Sequence, residues 1–212
     1  LTVWSEDVAC LPMKISEQLQ RLIALGVHEL AGLSEADFQQ LGVGLPDETL
    51  AVVSPRLVPP SRLAPLLSLN DKPGFVVEDM TDVDEFVDQV DAPERLLYTI
   101  ASPKRGDELQ NYTPDEALAA LAERGLSPLT LNEGISWLLQ QPQRLERNSC
   151  FMTIGSRKPK ARGFDARTPA IWVSNGTGRD GKERQDAPKV GWCWWNNRHT
   201  WLGFAATEQR YN

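Results

Sequence analysis

Cysteine is scarce in this chain. Cys10, Cys150 and Cys193 are its three, an odd number without CxxC spacing. That excludes a zinc ribbon and a dense disulfide framework, and it points to a reducing, cytoplasmic setting. Long apolar runs are also missing. None approaches the roughly 20 residues of a membrane helix, and no basic-then-apolar signal opens the sequence, so no membrane association is expected. The phosphate-cradling patterns GxGxxG and GxxxxGK[ST] are absent; Gly176, Gly178 and Gly181 belong to a polar loop. The acidic run from Glu78 to Asp91 lacks the glycine-containing loop of an EF-hand. A site built from Cys150, Cys193 and His199 would have no evident fourth ligand. No metal and no cofactor are expected.

What is present reads as an α+β protein. Residues 1–45 form a helical segment, and residues 46–212 an α+β domain with a mostly antiparallel sheet, packed helices and a Trp-rich β-hairpin at its end. In the helical segment, Ile15, Leu19, Leu22 and Ile23 have helical spacing up to Gly26. Ser34 caps a second helix that stops at Gly42, with His28 in the turn between. Leu50–Val53, Phe75–Glu78, Leu96–Ala101, Cys150–Gly155 and Pro169–Asn175 read as strands. An acidic helix is expected after Thr81, with Val83, Phe86, Val87 and Val90 as its buried stripe. Thr113-Pro114-Asp115-Glu116 and Thr130-Leu131-Asn132-Glu133 are capping boxes that start two more helices, which gives Glu116 and Glu133 structural roles.

Charge is divided along the chain. Residues 1–141 carry 9 Lys and Arg against 23 Asp and Glu, and residues 142–212 carry 13 against 6. Either the two parts pack against each other, or the basic loops 156–168 and 175–188 are solvated, or the basic part meets an acidic partner.

Chemistry concentrates in Lys189–Ala206, which holds four of the seven tryptophans, one of the two histidines and one cysteine. Val190–Trp195 and His199–Ala206 are apolar runs joined by Asn196-Asn197-Arg198, a hairpin signal. A three-residue loop pairs Trp195 with His199 and Cys193 with Trp201. It separates a core face (Trp192, Trp194, Leu202, Phe204) from a second face carrying Cys193, Trp195, His199 and Trp201. A two-residue turn instead pairs Trp194 with His199 and Trp192 with Trp201. The first register divides apolar from mixed side chains more cleanly and is preferred.

The second face supports three functional readings and one structural one. Trp195, His199 and Trp201, with Arg198 and Asn197, can form a binding surface for a protein or small molecule. Cys193 and His199 have the composition of a nucleophile and its base, as in a small hydrolase or transferase. Arg157, Lys158, Lys160, Arg162 and Arg167, with stacking tryptophans, suit weak binding of single-stranded nucleic acid. The structural reading is that cross-strand aromatic pairs hold the sheet together. A non-enzymatic binding role ranks first.

Three segments carry a family resemblance: LSPLTLNEGISWLL (126–139), PAIWVSNG (169–176) and VGWCWWNNRHTWLGFA (190–205). They resemble an uncharacterised bacterial family, mainly actinobacterial, with a PLT-x-x-EG helix, an ALW-like strand and a GWCW…HTWLG ending. The resemblance spans roughly residues 70–206. It implies a shared domain with the C-terminal segment as its hallmark, and it assigns no catalytic residues. Trp195 and Arg198 stand where that family commonly has smaller residues or proline, and the two basic loops are longer.

Overall fold

Ile15, Leu19 and Leu22 turn one face of helix α1 (Ile15–Ala24) into the core, and Gly26, at φ 81°, ends the helix in the left-handed conformation. The computed structural model describes residues 14–212; Cys10 and the first residues of the expected helical segment lie outside them. His28 belongs to a short helix, α2 (Val27–Leu30), in place of the expected turn. Helix α3 (Glu35–Gln40) starts at Ser34, whose hydroxyl accepts a hydrogen bond from the Asp37 amide at 3.1 Å. Three further helices follow: α4 (Pro60–Leu63), α5 (Pro114–Glu123) and α6 (Leu131–Gln140). Thr113 and Thr130 open capping boxes with Glu116 and Glu133, as their spacing predicts.

The main strands are β1 (Leu50–Val53), β2 (Phe75–Val76), β3 (Leu97–Ala101), β4 (Cys150–Met152), β5 (Arg167–Val173), β6 (Pro188–Trp194), β7 (Leu202–Phe204) and β8 (Gln209–Tyr211). One sheet has the order β1-β3-β8 and is antiparallel throughout. The other has the order β7-β4-β5-β6-β2, antiparallel at its centre and parallel at both edges. The protein is therefore α+β with antiparallel-rich sheets.

Helix α6 is buried at all ten of its positions, between the two sheets. Its polar side chains each take up a group from another element. Asn132 donates to the carbonyls of Val53 and Val58, Ser136 Oγ accepts from Val53 N, and Gln140 donates to Gln18 O. Gly134 lets the helix approach the second sheet, because a Cβ there would lie 2.6 Å from Thr153 Cγ2. On the far face of that sheet, Ala117 and Leu121 of α5 pack with Met152, Ala170, Leu202 and Phe204. Sheet, helix, sheet and helix thus form successive layers: the central helix satisfies buried backbone groups on the β1 side and packs closely on the second sheet at Gly134.

Two expectations fail here. Thr81 to Val90 is not an acidic helix. It forms one 3-10 turn, Val83–Glu85, and then pairs Val87–Asp88 with Ser156–Arg157. The acidic side chains serve other partners: Asp84 accepts from the amide and hydroxyl of Ser61, and Asp82 from Arg167 and Lys158. Such tertiary bonds outweigh the roughly 0.3–1 kcal/mol that a carboxylate gains in a helical first turn.

The Trp-rich β-hairpin is also not formed. β6 pairs with β5 across seven positions on one edge and with β2 on the other, while β7 pairs with β4. A three-residue β7 offers less ladder than β5 does, so the longer strand takes the edge. Neither predicted register exists, and the expected apolar face divides. Leu202 and Phe204 lie on the α5 side, whereas Trp192 packs toward α6 and meets Trp194 edge-on at 4.6 Å. Trp194, expected in the core, is 47% exposed.

Candidate ligand-binding site

β6 ends beside Arg167 at the start of β5, and β7 begins beside Cys150, on the far side of both β5 and β4. The chain covers that diagonal in residues 195–201, a strap on the α5 side of the sheet. Parallel strands usually need a connection of about a dozen residues or more, so this strap is short and is anchored along its length. Trp195 N donates to Ala166 O at 2.7 Å, and Cys150 N donates to Trp201 O at 3.0 Å. Between them, Asn111 N donates to His199 O at 2.8 Å, and Arg198 reaches Asn111 O at 2.9 Å and Glu116 Oε1 at 2.5 Å. Asn196 and Asn197 are exposed.

The strap sends three of the predicted site residues, Trp195, Arg198 and Trp201, to three different clefts. Trp195 lines the first, Arg198 a second with Glu116 and Tyr112, and Trp201 a third with Cys150 and Trp172. Trp195 and His199 are half-buried and Trp201 is exposed. His199 and Trp201 meet at a 58° tilt with 5.2 Å between centroids, so Trp195 is the residue that stands apart.

The Trp195 cleft has a volume of about 390 Å³ and is lined by Val90, Leu118, Pro128, Ile154 and Phe164 as well as the indole. Arg157 also lines it and is only 8% exposed. Alternation along Ser156–Arg157 explains its placement. Ser156 faces the α6 end, where its hydroxyl accepts from Leu131 N at 2.8 Å and donates to Asp88 at 3.2 Å, so Arg157 faces the cleft. Its guanidinium carbon lies 3.6 Å from the Trp195 ring centroid and 5.0 Å from that of Phe164. Nη2 donates to the Asp165 carbonyl at 2.9 Å, while Nε has no acceptor among the described residues. Burial lowers the Arg157 pKa, and the Asp165 charge works against that shift. The guanidinium keeps its charge regardless.

Cys193 and His199 are brought together by the strap, with Sγ 3.7 Å from Nε2. Burial pushes the Cys193 thiol up to about 11 and lowers the His199 pKa, so both groups are neutral near pH 7. No side chain among the described residues holds the other ring nitrogen of His199 in place. Thr168, opposite Cys193 on β5, buries a hydroxyl without a partner among the described residues. This is a poor setting for a thiolate nucleophile, which needs nearby positive charge or a helix N-terminus. Among the described residues, no group of three His, Cys, Asp or Glu is placed to hold a metal ion.

The divided charge is resolved by packing. Lys158 binds Asp82 at 2.6 Å and Glu85 at 2.8 Å, Arg167 binds Asp82 and Asp165, and Lys160 binds Asp165 at 3.3 Å. Of the five cations expected to meet phosphates, only Arg162 is exposed without an ion-pair partner among the described residues. Sequence reasoning groups Arg157 with those cations and passes over Phe164. The one available signal is that an aromatic residue, Phe164, stands inside an otherwise polar basic loop.

Among the described residues, no helix is long and apolar enough to cross a membrane. Neither a curated protein nor a solved structure matches the chain. A family model does match, over residues 21–212, which extends the resemblance read from the C-terminal motifs back into the second half of α1. The chain belongs to that family, a family of unknown function, DUF5701.

Proposed function

We propose that this protein is a non-enzymatic binding protein of the bacterial cytoplasm that takes a small molecule into the Trp195 cleft. The observation that carries the reading is the cleft itself: an apolar cavity with one convergent cation and a wide aromatic wall. Its volume lies in the range of small-molecule sites. The unpaired thiols of Cys150 and Cys193 suit a reducing compartment. The alternative of a hydrolase or transferase at Cys193 and His199 has the 3.7 Å approach in its favour and the protonated thiol against it. Single-stranded nucleic acid is the least supported partner, because most cations of the basic loop are already paired with carboxylates.

A fragment library screened by ligand-observed NMR tests the reading. Apolar fragments should bind the wild-type protein and Cys193→Ala alike. They should be lost in Leu118→Trp, which fills the cleft from a half-buried position on α5. Hits that survive Leu118→Trp, or depend on Cys193, would place the site elsewhere.

A further inference from the structure

We infer that the ligand of the Trp195 cleft is a small monocarboxylate with an apolar body, held by Arg157; this rests on the cleft being the binding site. Arg157 is a charged group 8% exposed with no carboxylate partner among the described residues. A buried charge without a counter-ion is costly, because its lost hydration is not repaid by an opposite charge. The stack on Trp195 and the single bond to the Asp165 carbonyl offset part of that and leave the group short of an anion.

The neighbouring charges set the valence. Lys158, Lys160 and Arg167 are each paired with Asp82, Glu85 or Asp165. One positive charge therefore faces the cleft. A phosphate dianion would bring a second negative charge into an apolar cavity with nothing to meet it. A carboxylate carries one charge and matches the planar guanidinium fork.

The lining sets the body. Apart from Arg157, the one long polar side chain on the cleft is Gln89, and its amide nitrogen turns back to the carbonyls of Val87 and Asp88 at 3.3 and 3.1 Å. A sugar would leave its hydroxyls desolvated and without partners. A single aromatic ring, a small bicycle or a short acyl chain leaves none.

The test is a calorimetric titration of phenylacetate, indole-3-acetate and hexanoate, each beside its primary amide, with phenyl phosphate as the dianion. The acids should bind at least tenfold more tightly than their amides and than phenyl phosphate. Arg157→Gln should remove that preference, Arg157→Lys should weaken it, and Leu118→Trp should abolish binding of acids and amides together. Acids and amides binding equally to the wild type would overturn the carboxylate assignment and leave the cleft as a neutral apolar site. No binding to the wild type, or binding that Leu118→Trp leaves intact, would overturn both. The acid-to-amide ratio is read on the wild-type protein, so the assignment can be refuted even if Arg157→Gln does not fold.

Discussion

Arg167 grips Asp82 with both terminal guanidinium nitrogens, Nη1 to Oδ1 at 3.0 Å and Nη2 to Oδ2 at 2.5 Å. This pair joins the acidic segment to the basic loop, and Lys158 bonds to the same carboxylate. The Arg167 hydrogen bonds hold the Asp82 carboxyl down at about 2, below its ordinary 3.8. A depressed carboxyl stabilises the fold above its unfolded pKa, and that contribution is lost as pH falls through the folded one. Urea unfolding should therefore show stability dropping between pH 4 and pH 2. Asp82→Asn should lose about 1–2 kcal/mol at pH 7, a figure discounted for solvent screening, and should flatten that part of the profile.

Asp88 should behave in the opposite sense. Burial pushes its carboxyl up to about 6, and the Glu133 charge adds to the rise. The folded state then holds a proton that the unfolded state releases, so stability falls as pH rises from about 4 to about 6. Asp88→Asn keeps an acceptor for the Ser156 hydroxyl and removes the titration. It should be more stable than the wild type at pH 7 by about 1–3 kcal/mol and equal to it at pH 4, as read by thermal unfolding at both values.

Glu133 is fully buried and meets Arg210 through both oxygens, Nε to Oε1 at 2.7 Å and Nη2 to Oε2 at 2.9 Å. Tyr98 OH donates to the same carboxylate at 2.9 Å. Glu133→Gln leaves a buried guanidinium without its counter-charge and should cost about 3–5 kcal/mol in denaturant unfolding. Glu133→Met combined with Arg210→Met should cost less than the sum of the two single changes, by more than about 1 kcal/mol, because the sites are in contact.

Cys193 should be a slow thiol. With its pKa near 11, its thiolate fraction at neutral pH is about a hundredfold below that of a group at the ordinary 9.0. Iodoacetamide should modify it correspondingly more slowly than free cysteine. A rate matching free cysteine would revive the nucleophile reading.

Local signals carry far in this chain. Ser34, Thr113 and Thr130 announce three helix starts through the side chains that cap them, and Gly26 announces a stop. Ile171 and Val173 lie on one face of β5 and Trp172 on the other, as alternation requires. What stays illegible is choice among distant partners. Asn196-Asn197-Arg198 has the composition of a hairpin turn, yet β6 prefers β5 because that ladder is longer. The candidate cleft depends on Val90, Leu118, Phe164 and Trp195, four segments whose meeting no spacing encodes. Trp195 and Trp201 read as one face in sequence, and the strap sends them to different clefts.

The fully buried central helix has a consequence for the order of folding. Its polar side chains find partners far along the chain: Glu133 with Arg210, 77 residues away, Ser136 with Val53, 83 away, and Gln140 with Gln18, 122 away. Until those segments arrive, docking α6 would strand a carboxylate and two polar side chains without partners. The helix can nucleate early through its capping box but should dock late, as a keystone set after the flanking arches. A chain with such distant contacts is expected to refold in milliseconds to seconds, with the α6 amides protected only in the final phase of a pulse-labelling experiment.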